Sequence, residues 1–279
     1  MRVFRELTHP WVNTQSWVDA HPDFWFKKWD PRGPAETSDP DQPQAWVVDL
    51  DSTLFCVTPR IKSVFFDFLD GRQGDPTWYR ELGFRLDPSN QCYDIQKTLQ
   101  RLIGGLVPES EQTEAAEHLW GEFREYWGEH FFSNRHLDKD LPSPGAQAFT
   151  HRIVQRGDQL VYLTGRDEPR CGEGTRASLK WHGFPSGPQT HLMMKPRSTL
   201  GDLEYKRQAC QELVGRFHVA FSVDNEPENL VMFAEAFPNA DICFFHTVMS
   251  PRVPRSDYST VLAGRTAWRL WDFLGTKNP

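Results

Sequence analysis

The stretch "WVVDLDSTLF" (residues 46–55) carries an apolar run into two aspartates, Asp49 and Asp51, one leucine apart and followed by two hydroxyls. Three further polar signals share that placement at the end of an apolar, strand-like run or beside one. Thr164-Gly165-Arg166 closes "QLVYLTGR", Asp224-Asn225-Glu226 closes "HVAFSVDNE", and Lys206 lies near the start of the helical pattern leading into the latter. In a doubly wound sheet, residues just beyond the carboxyl ends of neighbouring strands converge on one crevice. Carboxylates, a hydroxyl, backbone N–H groups at a glycine turn and a lysine together make a site for a metal and an anion. Phosphoryl transfer needs that set: a carboxylate can attack phosphorus and split one hard step into two. Repulsion between that carboxylate and a phosphate dianion must be cancelled, which a Mg²⁺ held by one or two carboxylates accomplishes. Asp49 and Asp224 are the ligand candidates, with the backbone carbonyl of Asp51. Lys206, the Thr164 hydroxyl and the N–H groups around Gly165 would bind phosphate oxygens. Asp51, two residues beyond Asp49, can protonate a leaving oxygen and then activate water.

The elements that must position these residues can be read from the spacing of apolar positions. Short β-branched runs alternate with helical patterns: a strand at Ala45–Leu50, a helix within 145–157, the strand "QLVYLTGR", a helix "TRASLKWHGF", the strand "HLMMK", a helix "LEYKRQACQELVG", the strand "HVAFSVDN", a helix "PENLVMFAEAF" and the strand "DICFF". This rhythm predicts an α/β fold, a Rossmann-like parallel sheet with crossover helices. One interval breaks it. "ESEQTEAAEHLWGEFREYWGEHFF" places Leu119, Phe123, Tyr126, Trp127 and His130 on one helical face, and "QCYDIQKTLQRLIGGL" is a second amphipathic candidate. A helical insertion after the first strand sits above the strand ends, so residues 59–144 are expected to form a cap over a core made of 45–58 and 145–279. Residues 1–44 read as an aromatic-rich extension ending in a proline-rich linker, "PRGPAETSDPDQPQ".

These residues resemble the haloacid dehalogenase (HAD) superfamily of phosphohydrolases. Its D-x-D-x-T motif stands as Asp49-Leu50-Asp51-Ser52-Thr53, its Thr- or Ser-ended strand as Leu163-Thr164, its lysine as Lys206 in "EYK", and its acidic strand end as Asp224. The resemblance covers residues 45–56 and about 145–246, and "DLDSTLFCVTPR", "VYLTGRDEPR" and "DNEPEN" look like a bacterial branch of that superfamily. It implies Asp49 as nucleophile and metal ligand, Asp51 as acid/base, Thr164 and Lys206 on phosphate, Asp224 on Mg²⁺, and a C1-type cap. Asn225 departs from the pattern, since a second aspartate often stands there; Glu226 or Glu228 could compensate. Lys195, which ends "LMMK", is the rival of Lys206. Arg166 is either a substrate phosphate contact or a surface arginine after a turn.

Composition narrows the partners. No run of 18–20 apolar residues could span a bilayer, and the first residues lack the apolar segment of a signal peptide. The five cysteines are scattered and never paired as C-x-x-C, which suits a reducing cytoplasm. The expectation is therefore a cytoplasmic phosphatase, Mg²⁺-dependent, hydrolysing a small phosphate ester through an aspartyl-phosphate. One alternative is phosphatase action on nucleotides or polynucleotide ends, because the later motifs also look like polynucleotide phosphatase domains. Against it, residues 59–145 hold ten Lys/Arg and fifteen Asp/Glu, where a polyphosphate track needs the reverse. The other alternative is a non-catalytic binding protein on the same fold.

Overall fold

The computed structural model describes residues 42–250, apart from 73, 89 and 144 and with 246 as backbone alone, together with the backbone of 267–269. The expected N-terminal extension therefore lies almost wholly outside the described residues. In chain order the strands are β1 (Gln44–Val48), β2 (Phe55–Cys56), β3 (Leu141–Pro142), β4 (Gln159–Asp167), β5 (Thr190–Lys195), β6 (His218–Asp224), β7 (Asp241–His246) and β8 (Ala267–Arg269). The helices are α1 (Thr58–Leu69), α2 (Thr77–Arg85), α3 (Ile95–Leu102), α4 (Gln112–Phe131), α5 (Ala146–Gln155), α6 (Glu168–Trp181), α7 (Asp202–Arg216) and α8 (Pro227–Ala236).

The main sheet has the order β5-β4-β1-β6-β7-β8, and every pairing in it is parallel. β1 is central because its residues are apolar on both faces, as a parallel strand covered by helices requires. Trp46, Val48 and Leu50 enter one core with Ala146, Phe149 and Ile153 of α5. Ala45 and Val47 enter the other with Ala209, Cys210 and Leu213 of α7 and Leu230 and Phe233 of α8. The alternation is the period of two that a strand imposes. The strand order switches direction at β1, where β4 lies on one side and β6 on the other. The crevice outside that point is where such sheets bind ligands.

After β1 the chain makes a tight turn and leaves through β2 into a helical insertion, returning through β3. β2 and β3 pair antiparallel, Phe55 with Pro142 and Cys56 with Leu141, and so form a two-stranded stem. Within the insertion, Ile61, Val64, Phe65 and Phe68 of α1 pack with Leu99 of α3 and Leu119 and Phe123 of α4 in a core of their own. Gly83 of α2 permits that packing, because a Cβ there would stand 2.9 Å from Cζ of Phe66 and 3.0 Å from Cδ1 of Phe65.

Local signals set the helix starts. Pro59 sits in the first turn of α1, where its missing N–H costs nothing. Asp94 caps α3 by accepting from Lys97 N at 3.2 Å, and Asp167 caps α6 by accepting from Arg170 N at 3.2 Å. That second cap explains why α6 begins at Glu168, several residues before the expected "TRASLKWHGF".

Candidate active site

The crevice begins with a sharp turn after β1. Asp49 N donates to Val223 O of β6 at 3.1 Å, so the first carboxylate still belongs to the sheet. The chain then reverses: Thr53 N and Phe55 N both donate to Leu50 O, and Ser52 N donates to Phe55 O at 2.7 Å. Ser52 has φ 60°, the left-handed region that a non-glycine residue enters at a cost of order 1–3 kcal/mol. Thr247, from the stretch after β7, supports the turn by donating its hydroxyl to Ser52 O.

Two charge clusters form on this turn. The first is centred on Lys206, in the second turn of α7. Its Nζ donates to Oδ1 of Asp49 and to Oδ2 of Asp224, each at 2.8 Å. All three side chains are buried. Burial works against the ammonium, but the charges of Asp224 and Asp49 outweigh it and hold its pKa well above the ordinary lysine value. Asp49 is raised well above the ordinary carboxylate range, by burial first and by the neighbouring Asp224 charge, with Lys206 pulling the other way. Asp224 is further fixed by Glu226 N, which donates to Oδ1 at 2.8 Å, and by Asn229 Nδ2, which donates to Oδ2 at 3.0 Å.

The second cluster holds Asp51. Arg60 of α1 and Arg166 of β4 both donate from Nη2 to its Oδ1 at 2.5 Å, and Arg166 Nε reaches both of its oxygens at 3.2 Å. The same guanidinium groups hold Asp140, just before β3, with Arg60 Nε to Oδ1 at 2.9 Å and Arg166 Nη2 to Oδ2 at 2.7 Å. Arg60, Arg166 and Asp140 are fully buried, whereas the Asp51 side chain is 28% exposed. Burial alone would raise the pKa of Asp51; the charges of Arg166 and Arg60 reverse this and hold it below the ordinary carboxylate range. Asp140 goes the other way, pushed up to about 6 by burial that the two arginines only partly offset.

The other expected residues distribute as follows. Thr164 is fully buried, and its Oγ1 accepts from Arg166 N at 3.2 Å. The expected glycine turn at Gly165 is not a turn, because β4 runs on through Arg166 to Asp167, where the capped α6 takes over. A Cβ at 165 would lie 2.0 Å from Oδ1 of Asp202, so that side chain would have to turn aside. Arg166 is no surface arginine; its remaining Nη1 donates to Thr175 Oγ1 at 3.2 Å. Asn225 accepts from Thr53 Oγ1 at 3.3 Å and donates through Nδ2 to Val248 O at 2.5 Å. Glu226 accepts from Ser250 N at 3.0 Å through both oxygens. Lys195 lines the crevice from the end of β5, apart from the Lys206 pair of bonds.

Part of this set opens on a cavity of 290 Å³, while Thr164 and Asp224 are fully buried and do not line it. Asp49, Asp51, Gly165, Lys195, Lys206 and Asn225 line its floor, and α1, α3 and α4 contribute its other wall. The donor set suits a hard cation. Asp49 and Asp224 offer carboxylate oxygens held by one ammonium. Among the described residues no group of three or more His, Cys, Asp or Glu could hold a metal ion. Two carboxylates with water completing the shell is the pattern of Mg²⁺, not of zinc or of a calcium cage.

Sequence reasoning missed Arg60, Asp140 and Asn229. Arg60 was visible as the arginine nine residues beyond Asp51, but nothing in its neighbours marked it as buried. No family model matches the chain, and no curated protein does. Among solved structures the chain is similar to haloacid dehalogenase-like hydrolases. One from Streptococcus pneumoniae is 14% identical, covering 83% of this chain and 96% of that one, with a TM-score of 0.44. A HAD-superfamily hydrolase from Ehrlichia chaffeensis is 15% identical, covering 81% and 98%, with a TM-score of 0.42. A chain of the Pnkp1/Rnl/Hen1 RNA repair complex is 15% identical, covering 80% of this chain and 48% of that one, with a TM-score of 0.40. At such identities and scores the likeness fixes neither activity nor substrate.

Proposed function

We propose that this chain is a HAD-type phosphatase: a Mg²⁺-dependent phosphomonoesterase that works through a phosphorylated Asp49 on a small phosphate ester. The observation that carries the reading is the Lys206 ammonium, which ties Asp49 and Asp224 together at the carboxyl ends of adjacent strands. Asp49 is the nucleophile. One of its oxygens is oriented by Lys206, and the other accepts no hydrogen bond from the described residues, which leaves it for phosphorus. Asp49, Asp224 and the Asp51 carbonyl would hold Mg²⁺, which supplies positive charge to a transferring phosphoryl group. Lys206 and the Gly165 N–H would bind equatorial oxygens, and Thr164, whose Oγ1 accepts from Arg166 N, still has its own proton to donate.

Asp51 is the proton carrier in this reading. Clamped by two guanidinium groups it stays ionised, the form needed to take a proton from the water that releases phosphate. Protonating the leaving oxygen requires Asp51 to acquire a proton first, against the charges of Arg166 and Arg60.

The clamp also favours a second reading, in which the fold binds a phosphorylated ligand without turning it over. Hydrolysis of an aryl phosphate in Mg²⁺, its loss in EDTA and its return with Mg²⁺ separate the two. Asp49→Asn abolishes that activity in the first reading, and undiminished turnover by the variant would remove Asp49 from the mechanism.

A further inference from the structure

We infer that the preferred ester carries an aromatic group and no second anion, an inference that rests on the phosphatase reading for the position of its phosphate. The helical insertion contributes to the cavity Ile61 of α1, Tyr93, Ile95 of α3, and Trp127, Phe131 and Phe132 at the end of α4, with Gln91 as its one amide. The three α4-end rings are already a packed group. Trp127 lies stacked on Phe131 with centroids 4.8 Å apart and planes 15° apart, and Phe132 meets Phe131 edge-on at 4.8 Å. Such a surface offers a flat ring offset-stacked or edge-to-face contact and gives a polyol few hydrogen-bonding partners.

Charge points the same way. No lysine, arginine or histidine of the insertion lines the cavity. Arg60, the insertion's nearest cation to the site, is buried and already shared between Asp51 and Asp140. The rim instead carries Asp202, Glu226 and Glu228. Among the described residues the lining holds two ammonium groups, Lys195 and Lys206, against the five carboxylates of Asp49, Asp51, Asp202, Glu226 and Glu228. A second phosphate or a carboxylate would meet this excess of carboxylates, which disfavours bisphosphates and phospho-acids by repulsion. The size agrees, since 290 Å³ is at the small end of ligand pockets and suits a phosphate with one or two rings.

The test uses esters with the same primary alkyl leaving oxygen, so that chemistry is constant and only the pendant group varies: 2-phenylethyl phosphate, glycerol 3-phosphate and propane-1,3-diol bisphosphate. The full chain in Mg²⁺ is expected to show kcat/KM for the phenylethyl ester at least about tenfold above the other two, mainly through KM. Trp127→Leu should reduce that ratio. Tyr93→Arg, a change at a 43% exposed position, should raise the relative kcat/KM of the bisphosphate. Calorimetric binding of 3-phenylpropylphosphonate against methylphosphonate reads the same wall without turnover. Hydrolysis of all three esters with no aromatic preference would overturn the inference and leave the phosphatase reading standing. No hydrolysis, with the phenyl phosphonate still bound at least about tenfold more tightly, would overturn the phosphatase reading and leave the aromatic site standing.

Discussion

Removing the Lys206 ammonium would leave Asp49 and Asp224 buried side by side without a counter-charge. Lys206→Met is therefore expected to cost about 3–5 kcal/mol of stability, the usual penalty for stranding a buried charge, as measured by urea unfolding without divalent metal. It should also abolish turnover, since the same ammonium orients the nucleophile. Asn225 invites the opposite experiment, because an aspartate there would match the motif more closely. The structure explains the amide: Nδ2 donates to the Val248 carbonyl, and a carboxylate would set two acceptors against each other. Asn225→Asp should lower stability by about 1–3 kcal/mol, measured the same way, rather than improve the site.

At the scale of elements, the cluster of Arg60, Asp51, Arg166 and Asp140 joins α1, the turn after β1, the end of β4 and the approach to β3. Both connections of the insertion are thus tied to Asp51. The cluster has a pH signature. Asp140 is raised from 3.8 to about 6 in the folded chain, so folding favours its protonated form. Its contribution to stability is fully present below about 4 and is lost as pH rises through about 6. Asp51, lowered by its arginines, contributes in the other sense: its stabilisation is present above 3.8 and is lost as pH falls further. Between pH 4 and 6 the slope of unfolding free energy against pH should therefore be more negative in the wild type than in Asp140→Asn. An equal slope in both would remove this contribution of Asp140.

Little of that cluster could be read beforehand, and the reason is physical. Strand and helix periods report which positions are apolar, so β1, β4, β6 and the aromatic face of α4 were legible, as were Asp49, Asp51 and Asp224 at strand ends and Lys206 near a helix start. A buried arginine leaves no such trace, because its partners come from distant elements: Asp140 is 80 positions from Arg60 in the chain. The α1 helix could have been found. Pro59 followed by Ile61, Val64, Phe65 and Phe68 has both a start signal and helical spacing. The extension of β4 past Gly165 could not, since a glycine closing an apolar run reads as a strand exit.

At the scale of the whole molecule, the acidic balance and the cavity limit what can approach. The chain carries a net charge of −7, and among the described residues no helix is long and apolar enough to cross a membrane. A 5′-phosphorylated oligonucleotide should bind weakly in fluorescence anisotropy, without the steep salt dependence that several phosphate contacts would impose. Steep dependence would restore the nucleic-acid alternative. Metal binding can be followed on the whole chain without any substrate. Mg²⁺ that binds the folded state raises Tm in proportion to its affinity, so millimolar Mg²⁺ should stabilise the wild type and fail to stabilise Asp224→Asn.

The central claim is that Asp49 attacks phosphorus. Its most direct test is acid quenching of the chain during turnover of an aryl phosphate in Mg²⁺, followed by intact-mass and peptide analysis. The account predicts a population one phosphoryl group heavier, with the group on Asp49 and absent from Asp49→Asn. Steady turnover with the phosphoryl group on another residue, or persisting in Asp49→Asn, would contradict it.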